Sequence, residues 1–103
     1  MPMRRQTTRL DTWFEPTDYA VEYGLLPDGR IGEIFITTTK AGSQLEAAAR
    51  DAAIAISHAL QRGAEVAELR ASATRDGMGR PLSIVGHALD LVANDFAEHE
   101  AAQ

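Results

Sequence analysis

Polar and apolar positions along this chain follow two periods, first two and then about 3.6. Tyr19, Val21, Tyr23 and Leu25 alternate with Ala20, Glu22 and Gly24, as in a strand with one buried face. Ile34 and Ile36 alternate in the same way with Glu33, Phe35 and Thr37, in a run rich in β-branched and aromatic residues. Pro27-Asp28-Gly29 between these runs is a tight-turn signature: the proline presets φ, the aspartate bonds nearby backbone and the glycine takes a positive φ. An earlier run, Leu10 to Glu15, carries Trp13 and Phe14 side by side and stops at Pro16. The three runs predict an antiparallel meander.

From residue 44 the period lengthens. Leu45, Ala49, Ala52, Ala53, Ile56 and Leu60 recur at helical spacing, behind a Ser43/Glu46 capping box and ahead of Gly63 as a stop. Val66, Leu69 and Ala73 mark a short second helix, and Leu82, Val85, Leu89, Val92 and Phe96 a third. Gly86 inside that third helix costs about 1 kcal/mol against alanine, and a close contact with a neighbouring element would explain it. The fold class is therefore α+β: a three-stranded antiparallel meander (about 9–15, 18–26 and 31–39) against three helices (about 44–62, 65–73 and 82–97). Residues 1–8 read as a flexible basic arm, 9–97 as one domain and 98–103 as a frayed tail. One layer of helices leaves one sheet face bare. Trp13 or Phe14, together with Phe35, falls on whichever face that is and marks a surface for a partner or a second copy.

Composition narrows the chemistry. With 45% apolar residues, 24% charged and a formal net charge of −5, the 103-residue chain has globular composition and opposes broad nucleic-acid binding. It has no cysteine, which removes disulfides, thiolate catalysis and cysteine-type zinc sites. The N-terminal arginines precede no apolar run and no segment approaches the ~20 apolar residues of a membrane span, so the expected compartment is cytoplasmic. His58, His87 and His99 lack metal-ligand spacing, and Asp90 and Asp95 read as solvated positions on a helix. No nucleophile–base pair stands out, so no catalytic residue, metal or cofactor is assigned.

Two stretches are candidates for anion binding. Lys40, Gly42 and Ser43 at a helix start can cradle a phosphate, although the spacing is not that of a P-loop and an ordinary helix cap explains it as well. Arg75, Asp76 and Arg80, among Gly77 and Gly79, form a charged loop able to grip a carboxylate or phosphate, or to contact a protein, or to serve only as a connector. Arg4, Arg5 and Arg9 offer a weak third route, to nucleic acid.

Several segments taken together carry a resemblance: Gly32-Glu33-Ile34-Phe35-Ile36, Lys40-Ala41-Gly42-Ser43, Ala59-Leu60-Gln61-Arg62-Gly63, and Arg75-Asp76 continuing to Gly86-His87-Ala88-Leu89-Asp90. In order and spacing they resemble the TSCPD domain at the C-terminus of cobalamin-dependent (class II) ribonucleotide reductases, and small stand-alone proteins built on that domain. The likeness spans about Arg9 to Val92. It implies the α+β fold and a link to deoxynucleotide synthesis through a partner, either a reductase subunit or a second copy of the chain. The Thr-Ser-Cys-Pro-Asp segment that names the family is missing, and the chain is too short for the reductase barrel or a cobalamin pocket. The expectation is a non-catalytic interaction module, with a small nucleotide- or anion-binding sensor as the alternative.

Overall fold

The computed structural model describes residues 7–39 and 43–101. Strands β1 (Thr7–Phe14), β2 (Thr17–Leu25) and β3 (Ile31–Thr38) form an antiparallel sheet in the order β1-β2-β3, followed by α1 (Gln44–Gln61), α2 (Val66–Ser72) and α3 (Ile84–Ala101). This is the α+β meander with three helices that the periodicity predicts. The ends differ in detail. Thr7 and Thr8, expected in the arm, pair with Gly24 and Tyr23, and α3 runs on through most of the expected tail to Ala101. The third helix starts at Ile84 rather than Leu82, because the Ser83 hydroxyl accepts from the Gly86 amide at 3.0 Å and so sets the helix start.

Register fixes the two faces. Leu10 pairs with Val21 and Val21 with Ile36, and these side chains point towards the helices. Arg9, Glu22 and Phe35 line up on the opposite face, as do Asp11, Ala20 and Thr37. The core lies between Tyr19, Val21, Tyr23, Ile34 and Ile36 of the sheet and Ala53, Leu60, Leu89 and Val92 of α1 and α3. Two tyrosines anchor α3: the Tyr19 hydroxyl shares a 2.6 Å hydrogen bond with His87 Nδ1, and Tyr23 donates to Asp95 Oδ2 at 2.7 Å. Burial, reinforced by the Asp95 bond, pushes the Tyr23 hydroxyl up to about 12. Asp95 is therefore a tie between α3 and β2 rather than a solvated position.

The β2–β3 turn forms as predicted: Gly29 has φ 93°, its amide donates to Leu26 O, and Asp28 accepts from the Arg30 amide. Gly63 ends α1 with φ 110°. Gly86 has the close neighbours its position called for, since a Cβ there would lie 3.2 Å from both Ala73 and Pro81. Two large members of the predicted stripes stay out of the core. Leu45 and Leu82 are 41% and 58% exposed and flank a shallow apolar groove beside Phe14 and Pro16.

Ser57 holds α1 to β3. Its Oγ is 2.9 Å from the Ile34 nitrogen, 3.0 Å from the Ile34 carbonyl and 3.0 Å from the Ala53 carbonyl. It accepts from the amide and offers one proton to the two carbonyls. Gln61 adds a bond to the Gly32 carbonyl at 3.1 Å. Both β3 residues direct these groups away from β2, so α1 closes the outer edge of the strand. Ser57→Ala leaves a buried amide and carbonyl of the strand unpaired. It should lower stability by about 1–3 kcal/mol and the midpoint by roughly 5–20 °C, read by thermal and urea unfolding.

Candidate functional site

Lys40 and Gly42 of the first anion candidate lie outside the described residues. Ser43 is the N-cap of α1, its hydroxyl accepting from the Glu46 amide at 3.1 Å. That amide is one of the donors an anion would need, and here the chain itself satisfies it.

The second candidate, Arg75–Arg80, is an ordered turn. Arg75 and Pro81 form a β-bridge, Asp76 N donates to Arg80 O at 2.9 Å, and Gly79 N donates to Asp76 O at 3.0 Å. Asp76 organises the interior: Oδ1 accepts from the Met78 and Arg80 amides, and Oδ2 from Arg80 Nε. The Arg80 amide, chief among these donors, lowers the Asp76 carboxyl below its ordinary range. Arg75 turns inward onto α3. Its two terminal nitrogens lie 2.9 and 2.7 Å from the two oxygens of Asp90, a bidentate pair, and they also reach the carbonyls of Gly79 and Arg70. Arg70 Nε completes the set at 2.9 Å from Asp90 Oδ1. Asp90, read in the sequence as a solvated helix position, is thus the hub joining α2, the turn and α3. Arg75 is committed to it, which leaves the 75%-exposed side chain of Arg80 as the outward-facing cation of the turn.

The sheet face opposite the helices carries the remaining candidates. Trp13 and Phe35 are 57% and 43% exposed there. Phe14 faces the other way, its ring 5.0 Å from that of His87 on α3. Successive side chains on one strand alternate, so only one of this adjacent pair can be outside. Among the described residues this face also holds Asp11, Asp18 and Glu22, the buried Glu33, and one cation, Arg9, whose Nε is 3.2 Å from Asp11 Oδ1. A depression of about 620 Å³ opens on this face over Ala20, with Asp11, Asp18 and Trp13 around it and Thr37 and Thr39 on the β3 side. Ala20 is the small residue that makes room; Arg9 also lines the depression and is paired with Asp11, so Asp18 gives it its net negative charge.

Catalytic machinery is harder to assemble. His87 is hydrogen-bonded to Tyr19, and burial lowers its pKa. Among the described residues no three His, Asp or Glu side chains are grouped to hold a metal ion, and no helix is long and apolar enough to cross a membrane. No family model, curated protein or solved structure matches the chain.

Ser57, Asp90 and Arg70 escaped the sequence reading. Ser57 had a signal: it sits one turn after Ala53 and three residues before Leu60, so it is a hydroxyl on the buried stripe, which needs a backbone partner. Asp90 had none, because its partners lie 15 and 20 residues away.

The Asp90 hub predicts an acid response. Arg75, with help from Arg70, holds the Asp90 carboxyl down at about 2 against an ordinary 3.8. A depressed folded-state pKa contributes stability above the unfolded value and loses it as pH falls through the folded one. Stability should therefore decline between pH 3.8 and about 2, with part of that decline absent in Asp90→Asn, measured by urea unfolding across the range.

Proposed function

We propose that the chain is a non-catalytic protein-interaction module that docks a basic segment of a partner protein on its open sheet face. The observation behind this reading is the depression over Ala20, where Trp13 stands beside Asp11 and Asp18. A lysine or arginine side chain fits that chemistry, with its charge between the carboxylates and its stem or guanidinium against the indole. Phe35, next to Glu22 on the same face, extends the apolar contact. Among the described residues of this face the accessible carboxylates Asp11, Asp18 and Glu22 outnumber the one arginine, which favours a basic protein over a nucleotide or nucleic acid, whose phosphates they repel. The anion-sensor alternative has less support, because Arg75 is taken up by Asp90 and the Ser43 hydroxyl by its own helix.

Trp13 is the single tryptophan and reports directly on the site. Titration with a lysine-rich peptide should change its emission, weaken with added salt, and fail with a glutamate-rich peptide of equal length. Phe35→Ala should weaken a natural partner by about thirtyfold, the ~2 kcal/mol of an interface aromatic, while leaving stability nearly unchanged. An emission spectrum indifferent to the basic peptide overturns the reading. Affinity capture from the host, with the bound proteins identified, then names the partner. A ribonucleotide reductase subunit is the outcome the family resemblance implies.

A further inference from the structure

The two edges of the sheet are unlike. At β3 the outward groups of Ile34 and Gly32 are taken by Ser57 and Gln61 of α1. β1 packs chiefly on β2, and its inward side chains Leu10 and Phe14 are only half-buried. The alternation of an antiparallel ladder identifies which β1 residues face the free edge. Because Ile34 directs its amide and carbonyl outward, its partner Tyr23 directs its own towards β1, where it meets Thr8. Asp18 confirms the phase by accepting from the Thr39 amide on the β3 side. Thr8, Leu10 and Thr12 are therefore bonded to β2, while Arg9, Asp11 and Trp13 present amides and carbonyls to an edge that is open among the described residues.

We infer that β1 is a self-pairing edge, and that two copies of this chain join antiparallel along it into one six-stranded sheet. The occupant is specified by the strand itself. Thr8-Arg9-Leu10-Asp11-Thr12 is complementary to its own reverse about Leu10. Pairing centred on Leu10 sets Arg9 against the partner copy's Asp11, and Asp11 against its Arg9, in the ladder positions that exchange backbone hydrogen bonds. It also brings the two Leu10 side chains together on the helix side. Arg9 and Asp11 already form an ion pair within the strand, so the joined strands carry four charges alternating around a square. Other registers are disfavoured. A shift of two residues sets Arg9 against Arg9 or Asp11 against Asp11, and a shift of one puts Leu10 on the wrong face. The two-fold axis stands perpendicular to the sheet. The helices of both copies therefore stay on one side, and the two open faces merge into a single surface.

The inference depends on the strand edge and not on the docking of a basic partner, so either can fail alone. Sedimentation of the full chain should show a species of twice the 11.2 kDa chain mass. Arg9→Asp and Asp11→Arg, each confirmed folded by circular dichroism, should each sediment as a monomer, because each sets like charges opposite one another. Mixing the two variants in equal amounts should restore a dimer, since every cross-strand pair is then opposite in sign although neither strand has regained its internal ion pair. A monomeric wild-type chain at high concentration overturns the inference. So do single variants that dimerise like wild type, or a mixture that remains monomeric.

Discussion

The Ser57 hydroxyl under the edge of β3 is the contact on which the rest of the molecule depends. A strand at the rim of a three-stranded sheet has half of its amides and carbonyls pointing outward, and burying them beneath a helix is costly unless the helix answers them. A serine on the apolar stripe of α1 does so for Ile34, and Gln61 one turn later does so for Gly32. With those groups satisfied, alanines at 49 and 53 let α1 approach β3 closely, and Leu60 is fully buried. The same arrangement draws the helical layer towards β3. β1 is left at the far side, where it is covered only in part.

Polar groups placed inside an apolar frame recur on the other side of the layer. Tyr19 and Tyr23 project from β2 through the core and end on His87 and Asp95 of α3. Asp90, on the turn between them, gathers Arg70 and Arg75. Three polar positions of one helix thus fix its rotation relative to the sheet, to α2 and to the 75–81 turn, which a stripe of alanine, valine and leucine alone would specify loosely. Because these bonds use Arg75, His87, Asp90 and Asp95 internally, the candidate chemistry still exposed, apart from Arg80 on the turn, lies on the opposite face with Trp13, Phe35 and the carboxylates.

How much of this was legible in the sequence follows from the range of each interaction. Strand alternation, the Pro27–Gly29 turn, the Gly63 stop and the order of elements are encoded within a few residues, and the α+β meander follows from them. The close packing at Gly86 was readable because a glycine inside a helix requires a reason. The sequence left open whether Trp13 or Phe14 faced outward; the ladder register decides for Trp13. The Asp90 hub was invisible, because an aspartate on a helix looks solvated until the fold brings in two arginines from other elements. The 75–80 segment likewise reads as a loose loop until Asp76 is seen to bond its amides and side chain from within.

The open edge and the open face are linked by the alternation of β1. Arg9, Asp11 and Trp13 send their backbone groups to the free edge and their side chains to the open face, so whatever pairs with the edge also lies beside the Trp13 depression. A face-to-face association of two copies would press carboxylate-rich surfaces together and is electrostatically opposed. Edge pairing avoids that opposition and sets Arg9, the one cation among the described residues of the face, against the Asp11 of the other copy. It would also place two Trp13 depressions on one continuous sheet, on either side of the symmetry axis. A single basic side chain gains little from one exposed depression, whereas a segment with two basic groups spaced across the joined strands gains from both. In that way self-pairing at β1 would convert a weak acidic site into a selective one.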